Sequence, residues 1–182
     1  GSFKHVAKVR AELKTRTIFN ILGPMCNPAN VKKHLIGAYD LALLRPMTEV
    51  LKNLGSEAAW LVHSNDGLDE VSISDKTFIN KLDRGHISEE VFEIKNTNIR
   101  PAKISEIVGG DASHNAKELI KIFKGEKNPY REIVSLNSAA ALVMCGYSRN
   151  IEDAIAISKE SLDSGKALQT LEHLISVSNR LE

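Results

Sequence analysis

The chain has 182 residues, with 24 Lys and Arg against 23 Asp and Glu for a formal net charge of +1, and 42% of it is hydrophobic. That is one domain's length with enough apolar content to bury a core, and the balanced charge argues against an electrostatic grip on nucleic acid. No apolar run approaches the roughly 18 residues of a membrane helix. Together with the absence of a signal-peptide pattern and of metal-ligand spacing around Cys26 and Cys145, this leads us to expect a reduced, cytoplasmic protein without structural zinc or membrane contact.

Gly1-Ser2 reads as a cloning scar, so the natural start is expected upstream. Val6, Val9 and Leu13 suggest a helix, and the apolar run 18–22 then meets Gly23-Pro24 and Asn27-Pro28, expected to form a rigid loop. Leu44, Met47, Val50, Leu51 and Leu54 recur at helical spacing before a stop at Gly55. Residues 58–63 are a short apolar run between Gly55 and the Asn65-Asp66-Gly67 turn, which favours a buried strand. Residues 71–74 alternate weakly, 77–82 read as a strand, and the turn Arg84-Gly85-His86 returns the chain into a second hairpin arm over 88–94.

The rest is expected to be helical. Asp111 caps a helix with Ala112, Ala116, Leu119, Ile120 and Phe123 on one face. Pro129 opens another through Ile133, Leu136, Ala139, Ala140 and Val143, whose alanines permit close packing. Asn150 caps a third over 151–162, and Ser164 a fourth over 167–177. The pattern is α/β with a helical C-terminal half and no internal repeat.

Few residues stand out for chemistry. Asp69 and Glu70 follow the expected strand 58–63 within a loop, the place where α/β folds bind ligands. Two adjacent carboxylates suit Mg²⁺, which takes one or two of them plus substrate phosphates, although a solvated acidic turn looks the same. Arg10 and Arg16 could each hold a carboxylate through paired hydrogen bonds. His5, His34 and His63 have no identifiable nucleophile partner, and Asn115 and Asn137 on helix faces read as structural, needing buried hydrogen-bond partners. Gly109-Gly110-Asp111 lacks the spacing of a phosphate-binding P-loop. No catalytic acid, base or nucleophile is identified.

The segments His5-Val-Ala-Lys-Val-Arg10, Arg16-Thr-Ile-Phe-Asn-Ile-Leu-Gly-Pro24, Asn27-Pro28-Ala29, Gly67-Leu-Asp-Glu-Val-Ser72, Gly109-Gly-Asp-Ala112 and Leu136-Asn137 occur in this order. Together they resemble the anthranilate phosphoribosyltransferases over essentially the whole chain after the scar. The resemblance implies the C-terminal domain of a nucleoside phosphorylase/phosphoribosyltransferase-like α/β fold, with a central, mostly parallel sheet flanked by helices and the N-terminal helical domain missing. On that reading residues 3–30 are a helical segment and Gly-Pro loop that contact the missing domain, and 31–182 are the glycosyltransferase-type domain. Arg10 and Pro24 match residues that bind anthranilate, and Asp69 and Glu70 match an acidic pair that binds Mg²⁺ with the pyrophosphate. The implied reaction moves the 5-phosphoribosyl group of phosphoribosyl pyrophosphate onto anthranilate, giving N-(5-phosphoribosyl)anthranilate in tryptophan biosynthesis.

The departures from the family pattern are specific. Its Gly-Thr-Gly-Gly-Asp loop, Asn-x-Ser-Thr segment and Lys-His-Gly-Asn stretch occur nowhere in this chain, and Cys26 stands where the family often has Thr. The chain alone is therefore expected to be inactive, with strands that leave an exposed edge. The family implies a homodimer in its full-length form and, in some bacteria, fusion to a glutamine amidotransferase. The rivals are a pyrimidine nucleoside phosphorylase, a non-catalytic transferase-like binding module, and a fragment that folds but binds nothing.

Overall fold

In a computed structural model, the described residues are 12, 15 and 17–180. Among the elements whose bounds are described, α1 (Phe19–Met25) leads into β1 (Lys33–Gly37), and α2 (Leu44–Asn53) crosses to β2 (Ala58–Ser64). The hairpin β3 (Thr77–Asp83) and β4 (His86–Phe92) follows. Four helices close the described chain: α3 (Ala112–Phe123), α4 (Pro129–Met144), α5 (Ile151–Asp163) and α6 (Lys166–Ser178). None of the described helices is long and apolar enough to cross a membrane.

The four strands form one sheet in the order β1-β2-β3-β4. Only β1 and β2 are parallel, while β2–β3 and β3–β4 are antiparallel. The α/β fold is as expected, but in this chain the sheet is mixed rather than mostly parallel. The connections explain why: α2 supplies the long crossover that parallel neighbours need, whereas Arg84-Gly85, both at positive φ, form a two-residue turn that can only reverse the chain. The hairpin's second arm accordingly starts at His86, two residues earlier than expected.

Strand β2 is buried on both faces. Ala59 and Leu61 join Ile36, Leu44, Met47, Leu51 and Leu82 beneath α2. Trp60 and Val62 face the other way, toward Val71, Ile73, Ile79 and the α4 residues Ile133, Leu136, Ala139 and Ala140. Ala139 and Ala140 of α4 are almost wholly excluded from solvent, so the helix lies close on the sheet. A polar tie holds it there: Lys33 Nζ donates to Cys145 O at the helix's C-terminal end (2.9 Å), while the buried Arg131 pairs with Asp163 and links α4 to α5 (2.8 Å).

Several local expectations change. Strand β1 had no sequence signal, and only Ile36 within it is buried. Gly23-Pro24 is not a loop but the last turn of α1. Glycine before the proline removes the Cβ that the pyrrolidine ring would crowd, and Pro28 just beyond the helix disfavours its continuation through Asn27. Ser164 ends α5 instead of capping α6: Gly165, in the left-handed region at φ +76°, precedes α6 without a side-chain cap. On α3, Ala112, Ala116 and Ile120 are exposed, and the buried side runs through Leu119 and Ile122. The helix suggested by Val6, Val9 and Leu13 falls largely outside the described residues.

Leu136 is fully buried between α4 and the sheet. Leu136→Ala is expected to lower stability by about 2–5 kcal/mol, read as a drop in the urea midpoint. A loss below about 1 kcal/mol, that of a surface site, would contradict this packing.

Candidate functional site

Because β1 and β2 run parallel, their C-terminal ends emerge on the same side of the sheet. The chain leaving β2 at Ser64 turns there and lays residues 65–72 across that end. The crossing is tight. A Cβ on Gly37 would stand 1.7 Å from the backbone oxygen of Asp69, so the loop rests directly on the glycine at the end of β1. His63 Nδ1 pairs with Ala38 O (2.8 Å) and Ala38 N donates to Val62 O (2.9 Å), joining the two strand ends beneath the loop.

The loop is pinned along its length. Asp66 accepts from Leu68 N (3.1 Å) and from Ser72 Oγ (2.6 Å). Ser64 N donates to Leu68 O, and Gly67 N to Ser64 O. Ser72 N donates to Thr77 Oγ1 (3.0 Å). Asn137, reaching from α4, accepts from Val71 N (2.9 Å) and donates to Val71 O (3.0 Å). Val71 and Ser72 are buried while Asp69 and Glu70 stay exposed. The weak alternation at 71–74 is thus a buried loop segment rather than a strand.

Glu70 retains solvent contact, yet its surroundings take up part of its hydration. That desolvation, followed by the neighbouring charge of Asp69, raises its pKa above the ordinary glutamate value. Asp75, at the far side of the loop, is shifted the other way: Asn65 Nδ2 donates to it (2.7 Å) and Lys76 N adds a second bond (2.7 Å), which lower its pKa. A carboxylate disfavoured in its charged form by desolvation and then by a like-charged neighbour is a group that a cation stabilises. Among the described residues no group of three or more His, Cys, Asp or Glu side chains converges on one point. Asp69 and Glu70 offer hard oxygen donors of the kind that Mg²⁺ takes alongside water or substrate oxygens.

The other candidates are not gathered here. Arg10 and Arg16 lie outside the described residues. Pro24 is exposed, and its neighbours Met25 and Asn27 line a cleft of about 160 Å³ with Lys32, His34 and Ser56. That cleft is at the N-terminal end of β1, roughly 13 Å of strand away from the loop at Gly37. His63 serves the strand ends. Asn115 is a local hook, accepting from Gly110 N (2.8 Å) and donating to Gly110 O (3.0 Å). Asn137 has the structural role its sequence suggested, but its partner beside Glu70 was not evident from sequence, since 66 residues separate them.

Comparison with known proteins places this geometry in a family. The model of the glycosyl transferase family, α/β domain, matches residues 1–168. An anthranilate phosphoribosyltransferase of Bradyrhizobium sp. (strain ORS 278) is 44% identical over 178 residues, which are 98% of this chain and 53% of that protein. One from Methylobacterium nodulans is 43% identical over 98% of this chain and 53% of the relative. Among solved structures, the Saccharomyces cerevisiae anthranilate phosphoribosyltransferase in complex with 4-fluoroanthranilate superposes with a TM-score of 0.87 at 26% identity, covering 95% of this chain and 51% of that one. The same yeast enzyme in complex with PRPP and Mg gives 0.84 at 28% identity over 95% of this chain and 50% of that one.

Two expectations follow from the site. Gly37→Ala has no room against the Asp69 backbone and is expected to destabilise by about 3 kcal/mol, the upper end for overpacking, measured by urea unfolding; a neutral result would mean that the loop does not rest on β1. In a carbon-detected NMR titration, Glu70 is expected to titrate above a free glutamate. Across the interval between those two values the folded chain binds more protons than the unfolded one, so this group's contribution to stability falls as pH rises. Asp69→Asn should lower the Glu70 value only part of the way, because desolvation remains.

The chain spans about half the length of the curated relatives it matches, and with a family model covering residues 1–168 it belongs to the glycosyl transferase family, as an α/β domain of that family.

Proposed function

We propose that this chain is the part of an anthranilate phosphoribosyltransferase that holds the cation of the phosphoribosyl donor. The observation that carries the reading is the Asp69–Glu70 pair, exposed on a pinned loop over the C-terminal ends of the two parallel strands, within a chain 44% identical to a protein of that name. The reaction it would serve transfers the 5-phosphoribosyl group of phosphoribosyl pyrophosphate to the amine of anthranilate, as a step of tryptophan biosynthesis in the cytoplasm. In the full-length enzyme a homodimer is the proposed assembly, and fusion to a glutamine amidotransferase the proposed variation.

The donor's C1–O bond to pyrophosphate breaks and a C1–N bond to anthranilate forms, while the amine releases one proton. Mg²⁺, when bound, supplies positive charge to the pyrophosphate oxygens as they take up the bond's electron pair. The chain's own contribution is to place two carboxylates rigidly where that cation is needed, so that little reorganisation accompanies charge development. On the acceptor side, Arg10 would donate two parallel hydrogen bonds to the anthranilate carboxylate, and Pro24 would line its channel, both assigned from the family resemblance. These are positioning contributions. The aromatic amine is a neutral nucleophile, and no described side chain is required to deprotonate it before attack.

The chain alone is expected to turn over far below the about 1–1,000 per second of ordinary enzymes, because the Gly-Thr-Gly-Gly-Asp loop is absent from its sequence. Joined to an upstream half from a relative that carries this loop, it is expected to consume anthranilate, followed by loss of the substrate's fluorescence. In that joined protein, Asp69→Asn or Glu70→Gln should lower kcat about 100- to 1,000-fold, a loss of several kcal/mol of charge stabilisation. Full activity in both variants would remove the acidic pair from the mechanism.

A further inference from the structure

We infer that Asn137 is the positioning residue of the acidic pair: from α4 it grips the Val71 peptide on both sides and so holds Asp69 and Glu70 in place to receive a divalent cation. The inference rests on the cation-binding reading above.

The geometry engages both ends of the side-chain amide. Its Oδ1 accepts from Val71 N (2.9 Å), and its Nδ2 donates to Val71 O (3.0 Å) and to Ile133 O (3.0 Å). Both amide hydrogens are spent, and the orientation is determined, since a flipped amide would set its NH2 against the Val71 N–H and its oxygen against two carbonyls. Asn137 is half-buried and Val71 is 1% exposed, so the bonds form where water competes weakly.

The position of the grip is what links it to the cation. Asp66, Ser64 and Thr77 secure the loop on either side, through Leu68 and Ser72. Gly37 supports it beneath Asp69. These anchors belong to the sheet and to the loop itself. Asn137, by contrast, ties the loop to the helical layer, and does so at the residue directly after Glu70. Release of Val71 would free the Asp69–Glu70 segment to separate its two like charges, which their mutual repulsion favours. A cation would then have to bring them back together. Groups that orient metal ligands in this way typically change affinity 10- to 100-fold when removed.

The test is Mn²⁺ alone, titrated into the full chain and followed by electron paramagnetic resonance of the free ion. Asn137→Ala and Asn137→Ser are both too short to reach Val71. Either should weaken Mn²⁺ binding 10- to 100-fold while the far-ultraviolet circular dichroism keeps its native form. Asn115→Ala is the control for general loosening, since Asn115 makes the same two-sided grip on Gly110; it should leave the Mn²⁺ affinity within twofold of the parent. Equal weakening by Asn115→Ala, or an unchanged affinity in the Asn137 variants while Asp69→Asn abolishes binding, overturns the positioning role and leaves the cation site standing. If Asp69→Asn and Glu70→Gln do not alter Mn²⁺ binding, the cation reading fails and the inference with it. Amide hydrogen exchange in the unmodified chain decides the matter should the Asn137 variants not fold: Val71 is expected to exchange as slowly as the α4 core, and exchange at the rate of an unstructured peptide overturns the inference.

Discussion

The contact between Gly37 and the backbone of Asp69 constrains the site more than any other. With 1.7 Å between a would-be Cβ and the Asp69 oxygen, no side chain fits at the end of β1, and the loop can lie flat on the strand ends. The parallel pairing of β1 and β2 places both ends on one side. Strand burial on both faces, under α2 and over α4, keeps those ends from shifting. The loop therefore inherits the rigidity of the core, although its two carboxylates face water.

That arrangement sets stability against function. Burial and the charge of Asp69 raise the Glu70 pKa, so the fold disfavours the ionised form of Glu70 beside its acidic neighbour. Hydrogen bonds from Ser72 to Asp66 and to Thr77, and between Asn137 and Val71, maintain the loop against that repulsion. A proposed cation site gains from such a design, because ligands already assembled need little ordering when the ion arrives. Three side chains engaged in hydrogen bonds thus cluster around two exposed ones.

The relation to the relatives is one of part to whole. The domain matches solved transferases with TM-scores above 0.8 while covering about half of each, and a site at the end of a sheet is open toward whatever lies beyond the sheet. Among the described residues β1 has a neighbour on one side only. The cleft beside Met25 and the acidic loop lie at opposite ends of that strand, so within this chain they do not form one pocket.

Much was legible from residues near one another in sequence. The stripe Leu44, Met47, Leu51, the apolar run of β2, the hairpin around Arg84-Gly85 and the caps Asp111 and Asn150 all depend on contacts within a few positions, and each gave its element. The pair Asp69–Glu70 was visible as two carboxylates after a strand, and the family motif pointed to the same residues. The failures were also local in form. Gly23-Pro24 looked like a loop and Ser164 like a cap because their signals suit either state, and the face of α3 was set by neighbours rather than by its own periodicity.

What sequence alone determined, then, is the set of elements driven by hydrophobic spacing and turn chemistry, along with the presence of two adjacent carboxylates after a strand. Tertiary structure decided the rest: that Lys33–Gly37 is a strand, since its pairing partners lie 25 residues on; that position 37 must be glycine; and that Asn137 holds Val71 from 66 residues away. Such pairings carry no periodic trace. They arise only once the core has brought distant backbone together, and their free energy comes from satisfying polar groups that burial has already removed from water.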